Sequence, residues 1–273
     1  MKQIVGIFGV PRSGTSWLGQ IFNSSPDTKF SYQPMLTDKF CDRIHPRSSA
    51  EEVKRFMEEV YLSDDDFLSQ KDDMIKSKKI CFYKETESPD FFIFKEVMYL
   101  YMVSVFLKKL KNIKIIFIIR NPIDVLTSWY NAPKEFYREW DIQKEWRFAQ
   151  KKNMFLPERY YGYNKWKEAV VLAYEMQKEY TNRIKCICYE DLRENPIDRT
   201  KELFEFIGLE FKGQTYNFIV DSQSKTEMDN PYSVYRKKNA REQIKKELPD
   251  NIIALIKDDL KEFVPYCGWD FLI

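Results

Sequence analysis

Short runs of consecutive apolar residues, rich in Ile, Val and Phe, alternate along this chain with longer stretches in which apolar positions recur every three or four residues. The first pattern suits strands buried on both faces, and the second suits amphipathic helices. Strands are expected at Ile4–Gly9, Lys29–Tyr32, Phe91–Lys95, Lys114–Ile119 and Ile184–Cys188, with Ile80–Lys84 as a sixth candidate. Helices are expected at Trp17–Asn23, Glu51–Leu62, Val97–Lys109, Pro122–Trp129, Trp166–Tyr180 and Pro196–Ile207, and over several turns between Ala240 and Phe263. Pro122 and Pro196 fit first-turn positions, where the missing N–H has no helical acceptor to lose. Asp64–Lys79 is acidic, then basic, and lacks periodicity; it reads as a surface loop or a broken helix, and Gly213–Asn239 reads as a loop. The β-α-β-α order predicts an α/β fold in which a parallel sheet carries helices on both faces, giving three layers.

The length of 273 residues fits one large α/β domain, 1–273, better than two independent ones. With 44 basic and 42 acidic residues the net charge is only +2, so neither a nucleic-acid surface nor an anionic-membrane surface is implied and any anion site must be local. No apolar run approaches the length of a membrane span. The first strand begins almost at Met1 and runs into a Gly-containing loop, which argues against a secretory signal. Five cysteines, an odd number without CxxC spacing, read as reduced thiols in a cytoplasmic protein and offer no zinc site.

The most informative segment is IVGIFGVPRSGTSWLGQIF, a strand, a turn and a helix in which Gly9 and Gly14 enclose four residues. That is the G-x-x-x-x-G frame of a phosphate loop, whose backbone N–H groups and following helix N-terminus converge on one anion. In a nucleoside triphosphate enzyme the next residue is the lysine that reaches the β and γ phosphates, but here it is Thr15, and a cation stands inside the loop at Arg12. The frame therefore suits a single 5′-phosphate whose bridging oxygen becomes a leaving group.

PRSGTSWL resembles the 5′-phosphosulfate loop of the sulfotransferases that use 3′-phosphoadenosine 5′-phosphosulfate (PAPS). The resemblance implies a P-loop-like sulfotransferase fold in which Arg12, Ser13, Gly14, Thr15 and Ser16 surround the 5′-phosphate, while Trp17 either stacks on the adenine or packs in the core. KIIFIIRNPIDVLTSWY is similar to the family's 3′-phosphate segment, implying a guanidinium fork from Arg120 and a hydroxyl from Ser128. IKCICYEDLRENP matches a third family segment and would bring Tyr189 toward the adenine, with Glu190 and Asp191 in structural roles. In YSVYRKK, Arg236 and then Lys237 would supply the 3′-phosphate from a loop. The implied product is adenosine 3′,5′-bisphosphate (PAP), with no metal required. Gln33-Pro34 departs from the Glu-Pro of many carbohydrate-type relatives.

Sulfuryl transfer is an in-line displacement, so Arg12 and the loop amides would hold charge on the leaving phosphate. For the acceptor proton, FFIFKEVMYL ends a strand in Lys95-Glu96 where phenol-type relatives have a lysine followed by histidine, which makes Glu96 the candidate base and places Lys95 beside the sulfuryl group. Glu85, after Lys84, and the single histidine, His45, are the alternatives. The segments 35–79 and 131–164, rich in aromatic residues among charges, are expected to close over a carbohydrate-like or small-molecule acceptor offering a hydroxyl or an amine. Competing readings are a P-loop nucleoside or nucleotide kinase, which needs the absent loop lysine, and a nucleotide-binding module without turnover.

Overall fold

The structure is a computed structural model and describes residues 3–70, 82–224, 233–235 and 246–267. Its strands are β1 (Gln3–Phe8), β2 (Thr28–Tyr32), β3 (Phe91–Glu96), β4 (Ile113–Ile119) and β5 (Ile184–Cys188). The main helices are α1 (Thr15–Asn23), α2 (Ala50–Leu62), α3 (Met102–Lys109), α4 (Pro122–Tyr130), α5 (Tyr163–Glu179), α6 (Tyr189–Glu194), α7 (Pro196–Ile207), α8 (Gly213–Ser224) and α9 (Asp250–Cys267). Single helical turns lie at Asp66–Ser69, Ile142–Glu145 and Gln150–Asn153.

Among the described residues the five strands form one parallel sheet in the order β2-β3-β1-β4-β5. Side chains alternate along each strand, so the sheet feeds two cores. Ile4, Phe8, Phe92, Phe94, Ile115 and Phe117 face one layer with α2, α3, α4, α5 and α9. Val5, Ile7, Ile93, Ile116 and Ile118 face the other, with α1, α7 and α8. Phe8 is in register with Glu96 on one side and Phe117 on the other, so the loops leaving β1, β3 and β4 emerge together at one edge of the sheet. In open α/β sheets that edge is where ligands bind.

The predicted elements shift in places. The helix expected from Val97 begins only at Met102, because Tyr99 takes a left-handed backbone at φ 55 and breaks the turn before it. Phe82–Lys84 is not a strand, and the start of that candidate lies outside the described residues. Gly213–Ser224, expected as loop, is helix α8, and it buries Thr215, Phe218, Ile219 and Ser222 at helical spacing.

Candidate functional site

The turn from β1 into α1 is shaped by its backbone. Gly14 sits at φ +91, and a Cβ there would lie 2.4 Å from the Tyr189 ring. A Cβ at Gly9 would lie 2.5 Å from the carbonyl oxygen of Ile118, so both glycines answer a close approach. Arg12 itself is left-handed at φ 74, a conformation that disfavours L residues and is retained where the surrounding structure over-determines it. Ser13 is fully buried, yet its Oγ has no hydrogen-bond partner among the described residues.

The strand-end loops are braced to one another. Arg12 Nε donates to Ser128 Oγ at 3.1 Å, and Arg120 Nη1 donates to the Arg12 carbonyl at 3.0 Å. The Arg120 guanidinium lies 4.6 Å from the centre of the Tyr189 ring, while its buried Nε finds no acceptor among the described residues. Glu190 Oε1 accepts from the backbone N–H of Asn121, a structural role of the kind expected for it. Trp17 is buried, its indole N–H donates to Ser222 Oγ at 2.9 Å, and its ring meets Tyr189 edge-on. Arg12, Ser13, Thr15, Trp17, Arg120, Ser128 and Tyr189 are thus gathered at the sheet edge from the turns and helices that follow β1, β4 and β5. Unsatisfied donors at Ser13 and Arg120 inside this cluster fit a bound oxyanion, which accepts from hydroxyl and guanidinium alike. Arg236 and Lys237 lie outside the described residues.

A cleft of about 440 Å³ opens beside the loop. Arg12, Thr15 and Ser16 form one wall, with Lys95, Val97 and Gln33 at its base. Lys95 is only 2% exposed, and its ammonium lies 4.3 Å from the centre of the Tyr32 ring. The strand pleat sends Lys95 and Val97 into the cleft and turns Glu96 to the opposite face of the sheet.

That placement corrects the expectation for the base. Glu96 is fully buried away from the cleft, with Oε1 accepting from the Met35 N–H at 2.8 Å and Oε2 without a hydrogen-bond partner among the described residues. Burial lifts its carboxyl to about 8, against the opposing pull of the Met35 N–H and of the Lys95 charge, so at neutral pH it holds its proton. Glu85 is also displaced: it pairs with Lys212, while its neighbour Lys84 binds the carbonyls of Asn23 and Ser25 at the C-terminal end of α1, the far edge of the sheet. His45 is exposed, is absent from the cleft wall, and accepts from the Arg47 N–H through Nδ1.

The outer wall comes from the segment 131–164, which sets Lys134, Glu135, Lys152, Arg159 and Tyr161 around the cleft, whereas 35–79 adds Leu36. Sequence reasoning named the segment but none of these residues. Glu135 Oε1 stands 3.9 Å from Arg12 Nη1, and its Oε2 is buried without a hydrogen-bond partner among the described residues. Its one sequence cue is its position just beyond the helix that carries Ser128.

The family model described as the sulfotransferase domain matches residues 3–254. Among curated proteins, the chain is 30% identical over 129 residues to sulfotransferase 1A1 of Mus musculus, covering 46% of this chain and 41% of the relative. To carbohydrate sulfotransferase 1 of Danio rerio it is 29% identical over 110 residues, covering 40% and 26%. The matched stretches span less than half the length of these relatives. Among solved structures, mouse sulfotransferase SULT7A1 complexed with PAP superposes with a TM-score of 0.56 at 15% identity, over 97% of this chain and 84% of that one. The sulfotransferase from Alicyclobacillus acidocaldarius gives 0.53 at 12% identity, over 98% and 96%. These two structures share the fold.

Proposed function

The chain belongs to the sulfotransferase domain family, and from that premise we propose that it transfers a sulfuryl group from PAPS to a hydroxyl or amine of a carbohydrate-like or small-molecule acceptor. The observation that carries this reading is the braced cluster of Arg12, Arg120 and Ser128 at the strand ends, with Lys95 lining the same cleft as the loop. The carbohydrate sulfotransferase among the relatives favours a sugar hydroxyl. A kinase reading is disfavoured by Thr15 in place of the loop lysine.

When bound, the donor supplies the sulfuryl group and carries away the bond that breaks, as PAP. The chain's own residues hold and neutralise. Ser13, Thr15, Ser16 and Arg12 surround the 5′-phosphate, and Arg120 with Ser128 takes the 3′-phosphate. Tyr189, already held edge-on to Trp17, borders the adenine. Lys95 donates toward the sulfuryl oxygens and the bridging oxygen as charge develops there, an interaction of the kind that contributes about 3–4 kcal/mol to a transition state. The acceptor oxygen or nitrogen attacks sulfur, the bond from sulfur to the 5′-phosphate breaks, and the acceptor proton passes to Glu135, the carboxylate on the cleft wall. Segment 131–164 closes the acceptor side.

Thermal stability with PAP, adenosine 5′-phosphate, or ATP with Mg²⁺ tests the donor. A ligand at about 100 times its Kd adds roughly 2.7 kcal/mol, which raises Tm by several degrees in a chain of this size. PAP should stabilise most. A larger shift with ATP and Mg²⁺ would transfer the reading to a kinase.

A further inference from the structure

The cleft is far more basic than the chain. Five cations and one carboxylate line it, although the whole sequence carries a net charge of +2. Arg12 and Lys95 lie on the donor side, and Glu135 stands against Arg12. Lys152 and Arg159 come from the segment 131–164, separate in sequence from the β1–α1 loop that would hold the donor.

Lys152 and Arg159 are built in. Arg159 Nη1 donates to the Lys152 carbonyl at 2.7 Å, and the Lys152 ammonium lies 5.0 Å from the centre of the Tyr161 ring. Asn153 locks the strap beneath them, donating to the Phe148 and Tyr161 carbonyls and accepting from the Tyr161 N–H. Both cations are half-buried, and neither forms an ion pair with a carboxylate among the described residues. Burial pulls the Lys152 ammonium below its ordinary value; Glu135 opposes this, and the neighbouring Arg159 charge adds to it. Holding two cations together in a partly dry wall is unfavourable until an anion lies between them.

We propose that the acceptor carries an anionic group, a carboxylate or a phosphate or sulfate ester, seated on Lys152 and Arg159 with its reacting hydroxyl or amine toward Glu135. This rests on the sulfotransferase reading above.

The test is calorimetric titration of the PAP-saturated protein with p-nitrophenyl β-glucuronide and with p-nitrophenyl β-glucoside, which differ by a carboxylate against a hydroxymethyl group. The glucuronide should bind roughly tenfold more tightly or better, the scale of one charge-assisted contact. That advantage should vanish in a Lys152→Met/Arg159→Met double variant whose PAP affinity is unchanged. Lys152→Gln, which loses no side-chain hydrogen bond, should reduce it in the same direction if the double variant folds poorly. Equal binding of the two sugars, or binding of neither with PAP in place, overturns the inference. So does a double variant that loses PAP affinity, since the cations would then serve the donor. Failure of PAP itself to bind removes the sulfotransferase reading and the inference with it.

Discussion

Glu96 and Glu135 carry the same carboxyl group into opposite surroundings, and the contrast yields two predictions. Glu135→Gln should lower kcat by about 10²- to 10⁴-fold, the usual contribution of a positioned base, with PAP affinity retained by calorimetry. Equal loss of PAP affinity would show instead that Glu135 serves to hold Arg12. Glu96→Gln should leave turnover within about threefold, because the amide oxygen can still accept from Met35 and the group does not face the cleft. Its stability should change with pH in a set direction. A carboxyl whose native value is raised to about 8 keeps its proton while the unfolded chain, near 4.5, has lost it. Stability therefore falls as pH rises from about 4.5 to about 8, and the neutral amide escapes this loss. Thermal melts should show Glu96→Gln more stable than the parent at pH 8, on the order of a few kcal/mol, with the difference closing toward pH 4. At this scale the sequence was legible where placement follows spacing, as at Arg12, which lies between two glycines and lines the cleft. It misled at Lys95-Glu96, where adjacency suggested a shared site and the strand pleat parts the two residues.

Between strand and helix, the site depends on a turn that only glycine fits. Gly14 combines φ +91 with a Cβ position 2.4 Å from the Tyr189 ring, so Gly14→Ala meets backbone strain and a clash together. PAP binding should fall at least tenfold, and Tm should drop by a few degrees, since the strain alone is worth about 1–2 kcal/mol. Pairing it with Tyr189→Ala removes the clash but not the strain, so Tm should recover in part only. Full recovery would mean that φ at residue 14 is not limiting. The strands and the β1–α1 turn were readable because two-sided burial leaves unbroken apolar runs. Helix α8 was hidden because its buried stripe holds two hydroxyls, Thr215 and Ser222, among only two aliphatic or aromatic residues, Phe218 and Ile219. Ser222 nevertheless fixes Trp17, so the missed helix bears on the proposed nucleotide side of the site.

For the molecule as a whole, near-neutral net charge conceals a cationic cleft, and the core beneath it is closed by a helix distant in sequence. Helix α9 places Ile252, Ile256, Leu260 and Val264 four residues apart on one buried face, packed in the same cluster as Trp166 and Ala169 of α5. The Tyr163 hydroxyl and the Lys167 ammonium both reach Asp259, joining α5 to α9 across the top of that face. The family match ends at residue 254, so most of this stripe lies beyond it. Its role must therefore be read from packing. Ile256→Ala should destabilise by about 2–5 kcal/mol, the range for emptying an aliphatic site in a packed core. At about 2–4 °C per kcal/mol for a chain of this size, Tm should fall by roughly 5–15 °C. Because the described side chains of α9 are absent from the cleft wall, PAP affinity measured well below that Tm should stay within about twofold of the parent. A variant that keeps its Tm but loses PAP affinity would place α9 in the site itself; one that loses stability alone would make it a brace for the core it shares with α5.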